Sequence, residues 1–112
     1  PEAFETAISA LAKRTETEGH KGVLGYRFYV NRVENTAGAT IIYADADAWL
    51  EHHRIAYGWE EMPALQATAS LRRLTFLGPF NKAMQEWLSN AGLKIPVSHY
   101  ETLAAGFQRK IN

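Results

Sequence analysis

Cysteine is absent from the 112 residues of this chain. Its absence excludes disulfide bonds, thiolate metal sites and a cysteine nucleophile, and it is compatible with a reducing cytoplasm. No apolar run approaches the roughly 20 residues that span a bilayer. The formal net charge is zero, and no run of Lys and Arg offers the many phosphate contacts on which nucleic-acid binding depends. We therefore expect a cytoplasmic protein that binds neither nucleic acid nor a membrane.

The length and composition indicate one small globular domain. Hydrophobic residues make up 46% of the chain and charged residues 21%, which is ordinary for a folded domain. The sequence has no internal repeat, low-complexity tract or linker. We predict a single domain over residues 1–112, long enough to bury its own core.

The N-terminal part of the chain predicts a helix followed by a hairpin. Apolar residues recur at helical spacing over 2–15, and Pro1 suits the first helical position. Alternating apolar residues predict strands over 23–31 and 39–44. The short connection between them, with a turn at 35–38, favours antiparallel pairing.

The stretch 43–59 holds two of the four histidines and two of the three tryptophans. It predicts the end of a strand and then a helix capped by Asp45 or Asp47. On a helical wheel His53 falls on the inward stripe and points to the interior, whereas His52 lies toward a solvated edge. The stripe consists of Ala46, Leu50, His53 and Tyr57.

The C-terminal half predicts four further segments. A short helical piece over 60–68 precedes a third strand over 70–78, and a helix over 80–90 precedes an extended segment over 97–107. Hairpins with interleaved helices indicate an α+β fold, with an antiparallel sheet and helices on one face. The bare face of the sheet, which carries Tyr29 or its neighbours, is expected to meet a second subunit.

Three motifs, taken in order, resemble the antibiotic-biosynthesis-monooxygenase family of the dimeric α/β-barrel superfamily. The resemblance covers residues 2–78 and, more loosely, the rest of the chain. It implies a ferredoxin-like sheet, a homodimer and no cofactor. The motifs are Gly-x-x-x-Tyr-x-x-Tyr at Gly22, Tyr26 and Tyr29, Asp-x-x-Leu-x-x-His at Asp47, Leu50 and His53, and Ala-Gly-Phe-x-Arg at Ala105–Arg109.

The resemblance has two departures. Relatives open with a strand before the first helix, and here either that strand has been cut or is absent, or residues 97–107 take its place in their own sheet or in the partner's. The haem-degrading branch uses an Asn on that strand, so haem degradation is not implied. What the resemblance implies is a cofactor-independent monooxygenase acting on a small phenol or quinol. The alternative is a non-catalytic small-molecule-binding or stress-related dimer of the same fold.

In the oxygenase interpretation, His53 is the candidate base. Arg73, or its neighbour Arg72, holds a phenolate or a carboxylate. Five aromatic side chains are candidates for the walls of the substrate pocket. They are Tyr26, Tyr29, Tyr43, Trp49 and Trp59.

Each of these residues also has an ordinary structural interpretation. His53 fits a core histidine whose ring nitrogens are satisfied by neighbours, and the tryptophans fit core or dimer contacts. The two arginines fit surface charges. A metal site is not expected, because His52 and His53 lie about 100° apart on a helix and no His-x-x-x-His motif occurs.

Overall fold

The computed structural model describes residues 2–110, so Pro1 and its predicted helical position lie outside the described residues. The mixture of helices with small sheets confirms the α+β class. Two compact units divide the chain, one over 1–70 and one over 71–112, and each is described by itself. The elements are α1 (Glu2–Glu18), β1 (Val23–Asn31), β2 (Thr36–Tyr43), α2 (Ala46–Ala56), α3 (Glu61–Gln66), β3 (Leu74–Leu77), α4 (Lys82–Asn90) and β4 (Val97–Tyr100).

The first unit is built on the antiparallel β1–β2 hairpin, which confirms the predicted pairing. Tyr26 lies opposite Ile41 in the register, and the ladder shifts at a bulge between Val23 and Gly25. Asn35 adopts a φ of 58° in the turn, a left-handed conformation that Asn tolerates better than most residues. Strand β2 begins at Thr36, three residues earlier than the sequence predicts, because the turn is tighter.

Helices α1 and α2 both contact the hairpin, and α1 also contacts α3. The buried side chains of this unit come mainly from the helices and include Leu11 and Trp49. Ala48 and Ala56 on α2 are buried as well, and their small side chains allow that helix to approach its neighbours closely. The core therefore lies between the helices and one face of the hairpin.

Two arginines tie separate elements of the first unit together. Arg14 on α1 donates to Glu61 on α3 over 2.8 Å, and its guanidinium lies 4.7 Å from the centre of the Trp59 ring. Arg32 at the end of the hairpin donates through two nitrogens to the carboxylate of Glu5. A bidentate contact such as that of Arg32 with Glu5 fixes geometry better than a single ion pair does. It therefore holds α1 against the end of the hairpin.

The second unit differs from the antiparallel sheet expected from the sequence. Strands β3 and β4 pair in parallel, as suits two strands joined through a helix. Both strands are only four residues long, much shorter than the predicted 70–78 and 97–107. Gly78, with a φ of 114°, follows the end of β3, and the Ala-Ala-Gly run at 104–106 has little strand propensity.

Helix α4 begins at a capped end and buries two side chains. The side chain of Asn81 accepts a hydrogen bond from the backbone N–H of Met84 over 2.9 Å. Met84 and Leu88 are buried, at the spacing of one helical face. In the part of the chain from 2 to 110, no helix has the length and apolar character needed to cross a membrane.

Candidate functional site

Helix α2 carries the candidate site, and its first turn is fixed by a side-chain cap. Asp45 is extended and accepts a hydrogen bond from the backbone N–H of Ala48 over 2.8 Å. This confirms Asp45, one of the two predicted residues, as the N-cap. The cap sets where the helix begins, and therefore which side chains of α2 face the hairpin.

His52 is buried, with 3% of its surface exposed, so the prediction of a solvated edge residue is wrong. Its ring meets the Tyr26 ring edge-on, with centres 5.5 Å apart, and lies 6.0 Å from the Tyr43 ring. The buried stripe of α2 runs through Ala48, His52 and Ala56, about 100° around the helix from the predicted stripe. The two alanines were the signal in the sequence, because a closely packed helix face favours small residues.

His53 is half-buried and lies against the other aromatic residues of α2. Its ring is 4.1 Å from the Trp49 ring, tilted by 30°, and about 6 Å from the rings of Tyr43 and Tyr57. Its Nδ1–H donates to the carbonyl oxygen of Trp49 over 2.8 Å. A carbonyl only accepts, so Nδ1 carries the proton and, in the neutral ring, Nε2 carries the lone pair.

Both histidines are held in the neutral form. The pKa of His53 is lowered to about 4, mainly by burial and to a smaller extent by the neighbouring His52. The hydrogen bond to Trp49 acts in the opposite direction. Burial also lowers the pKa of His52, with a smaller contribution from His20. At neutral pH the cluster therefore offers uncharged imidazoles, which accept or donate hydrogen bonds without attracting anions.

The tyrosines of the cluster are held in the phenol form. Burial raises the pKa of Tyr26 to about 12, and a side-chain hydrogen bond with Thr15 opposes part of that shift. Burial raises the pKa of Tyr43 as well, with a contribution from Tyr26. Neither phenol is therefore a base at neutral pH, which leaves the imidazoles as the proton acceptors of the cluster.

One polar atom of the cluster has no hydrogen-bond partner. The Nδ1 of His52 is buried and unpartnered within residues 2–110. A buried polar atom without a partner costs free energy, and such atoms commonly mark a bound water, a ligand or a reacting group. The sequence gives no sign of it, since only the packing around α2 decides which imidazole nitrogen faces a donor.

The structure brings together four of the predicted site residues: Tyr26, Tyr43, Trp49 and His53 lie in one run of ring contacts with His52. Tyr57 joins them through His53, although the candidate wall residues do not include it. The spacing of His53 and Tyr57, four residues apart on one helix, was the available signal.

The remaining predicted residues lie elsewhere. Tyr29 is 60% exposed, and by strand alternation it lies on the face of β1 opposite to Tyr26. Trp59 is half-buried beneath the Arg14 guanidinium. Arg73 is exposed in the second unit, just before β3 begins at Leu74. Arg73 therefore lies outside the strand, although the sequence predicts a strand over 70–78 that includes it.

The second unit has two open grooves along α4. One, of about 300 Å³, is lined by Phe80, Leu88, Val97 and His99 among others. The other, of about 420 Å³, has polar walls that include Lys82 and Glu86. Neither groove is lined by a residue of the predicted site, so the candidate site rests on the α2 cluster.

Among residues 2–110, no group of three or more His, Asp or Glu side chains is placed to hold a metal ion.

The cluster consists of two neutral imidazoles among aromatic rings, and one imidazole nitrogen has no hydrogen-bond partner within the described residues. Such a cluster can accept a proton or a hydrogen bond. No protein-family model, curated protein or solved structure matches this chain.

Proposed function

We propose that this protein is a cofactor-independent monooxygenase-like enzyme that acts on a small phenol or quinol. The observation that carries the proposal is the orientation of His53. Its Nδ1–H is engaged by the Trp49 carbonyl oxygen, so its other nitrogen carries the lone pair needed to accept a proton. The aromatic rings of Trp49, Tyr43 and Tyr57 around it suit a flat, apolar substrate.

The reaction needs no bound group beyond the substrate and O2. His53 accepts the hydroxyl proton as the electron-rich phenolate passes an electron to O2. The resulting superoxide bonds to a ring carbon that carries a hydrogen, opposite the hydroxyl, and the proton held by His53 returns to the peroxide to form a hydroperoxide. Loss of water then leaves a quinone, so one oxygen atom enters the product and the other leaves in water. A low-polarity site favours this sequence by excluding competing protons.

The first test is oxygen uptake with a panel of hydroquinones and phenols. Replacing His53 with alanine should lower the rate about tenfold, which is less than the roughly hundredfold or greater contribution usual for a general base. A large effect is not expected, because a pKa of about 4 makes this imidazole a weak base. The rate should be followed with an oxygen electrode, with quinone formation measured by absorbance.

The matched control is Arg54→Ala, which changes the next residue on the exposed side of α2, where Arg54 pairs with Glu51. It should leave the rate unchanged. Equal rates in wild type and His53→Ala would remove His53 from the mechanism. No uptake with any member of the panel would count against the enzyme proposal as a whole.

The proposal includes the finer architecture, a ferredoxin-like antiparallel sheet of the dimeric α/β-barrel type, and a cytoplasmic homodimer. The run α1, β1, β2, α2, in which one helix precedes the hairpin in sequence and one follows it, supports it. So does the outer face of the hairpin, on which Tyr29 and Ile42 are 60% and 56% exposed. Exposed apolar residues on a sheet face are typical of a surface that meets a second subunit.

Sedimentation velocity at micromolar concentration should therefore show a dimer. Tyr29→Glu should shift the protein toward the monomer, because the interface would have to bury an unpaired charge. Val33→Glu is the matched control, since Val33 lies in the hairpin turn and is exposed. A monomeric wild type, or equal dissociation in both variants, would contradict a dimer built on this face.

A second candidate is a non-catalytic small-molecule-binding or stress-related dimer of the same fold. The low pKa of His53 favours it, because a weak base packed against Trp49 also suits a purely structural role. The oxygen-uptake experiment separates the two candidates. Binding of a phenol without oxygen consumption would support the second candidate over the first.

A further inference from the structure

The Nδ1 nitrogen of His52 is a buried polar atom of the first unit that has no hydrogen-bond partner among the described residues. It is buried on a side chain that is 3% exposed, and no described residue hydrogen-bonds to it. Replacing the ring with an apolar one would remove the cost of burying this nitrogen. The presence of an imidazole there therefore calls for a partner that residues 2–110 do not provide.

The groups that face His52 are aromatic rings. Tyr26 comes from β1 and Tyr43 from β2, while His53 is its neighbour on α2, with ring centres 5.2 Å away. His20, from the loop after α1, interacts with it electrostatically, and its Nδ1 accepts a hydrogen bond from Gly22. These surroundings suit an aromatic ring that carries a neutral hydrogen-bond donor, and they do not suit a carboxylate or a phosphate.

We propose that Nδ1 of His52 accepts a hydrogen bond from the hydroxyl of a small phenol bound between α2 and the β1–β2 hairpin. The identity of the ligand as a phenol rests on the proposed function. His52 then selects for a hydroxyl group in the bound state that precedes transfer of the proton to His53. Because the nitrogen is enclosed, binding requires one of the two tyrosine rings to move, so association should be slower than diffusion.

The test compares two probes that differ only in the donor, para-fluorophenol and para-fluoroanisole. Wild type should bind the phenol about tenfold more tightly than its methyl ether, as fluorine NMR titration would measure. In protein with isotope-labelled histidine, the phenol should shift the His52 Nδ1 nitrogen resonance and the ether should not. His52→Leu, which removes the acceptor at similar volume, should bind both probes equally.

His52→Asn offers a rescue, because the side-chain oxygen of Asn can reach the position of Nδ1, and it should restore part of the preference for the phenol. Equal binding of the two probes by wild type would overturn the inference, even if His52→Leu failed to fold. A Nδ1 resonance that no probe moves would also overturn it, since the partner would then be a buried water only. A phenol bound at His52 without oxygen uptake would support this inference and contradict the enzyme proposal.

Discussion

Replacing Gly22 with alanine is expected to destabilise the protein by about 2–3 kcal/mol, the upper part of the range for overpacking a close contact. A β-carbon at this position would lie 2.5 Å from the β-carbon of Ala48 and 2.9 Å from Nδ1 of His20. The His20 ring can rotate away. The Ala48 β-carbon is fixed to the backbone of α2, so the whole helix has to move.

The backbone of Gly22 cannot easily move instead. Its carbonyl oxygen accepts a hydrogen bond from the N–H of Ala44 over 2.7 Å, and its own N–H donates to His20 over 2.9 Å. The loop after α1 is therefore anchored to the end of β2. A displaced α2 would carry His52 and His53 with it, so the phenol preference should fall together with stability.

Urea denaturation would measure the effect, and the chain supplies a matched control. Gly38→Ala adds the same methyl group to β2, where nothing lies within 4 Å, and it should change stability by no more than about 0.5 kcal/mol. Ala48→Gly in the Gly22→Ala background should recover part of the loss, less about 1 kcal/mol for glycine inside a helix. Equal stability of Gly22→Ala and Gly38→Ala would show that α2 does not approach the loop this closely.

The hairpin and the start of α2 could be predicted from the sequence because local chemistry decides them. Alternating apolar residues and a short turn specify β1 and β2, and Asp45 specifies the helix start through its own side chain. The four members of the cluster that were predicted follow from these elements. Tyr26 and Tyr43 lie on the strands, and Trp49 and His53 follow the cap.

The sequence could not specify that His52, rather than His53, is the buried histidine of α2. Adjacent residues on a helix lie about 100° apart, and two overlapping stripes of α2 are both apolar enough to face a core. Packing against the hairpin selects the stripe that contains Ala48. The pairing of β3 and β4 likewise depends on contacts between residues distant in sequence, which no local pattern specifies.

Lowering the pH from about 8 to about 5 should reduce the free energy of unfolding by about 2 kcal/mol through His53 alone. Its pKa is lowered from 6.5 to about 4 in the folded protein. Above pH 6.5 the ring is neutral in both states, so it makes no contribution. As the pH falls below 6.5 the unfolded chain takes up the proton first, which favours unfolding, and the loss is complete near the folded pKa.

Urea denaturation at several pH values would measure this dependence, and His53→Gln isolates its source. The variant should lose about 2 kcal/mol less than wild type over the same interval. The remaining dependence includes His52, whose pKa is lowered in the same direction. The interval ends near pH 5 because arginine partners lower the pKa of Glu5 and Glu61, so those carboxylates would add a loss of stability of their own at lower pH.

If His53→Gln kept the full pH dependence of wild type, the His53 ring would be open to water in the folded protein. A ring open to water would also lose the dry aromatic setting on which its proposed role as a base depends.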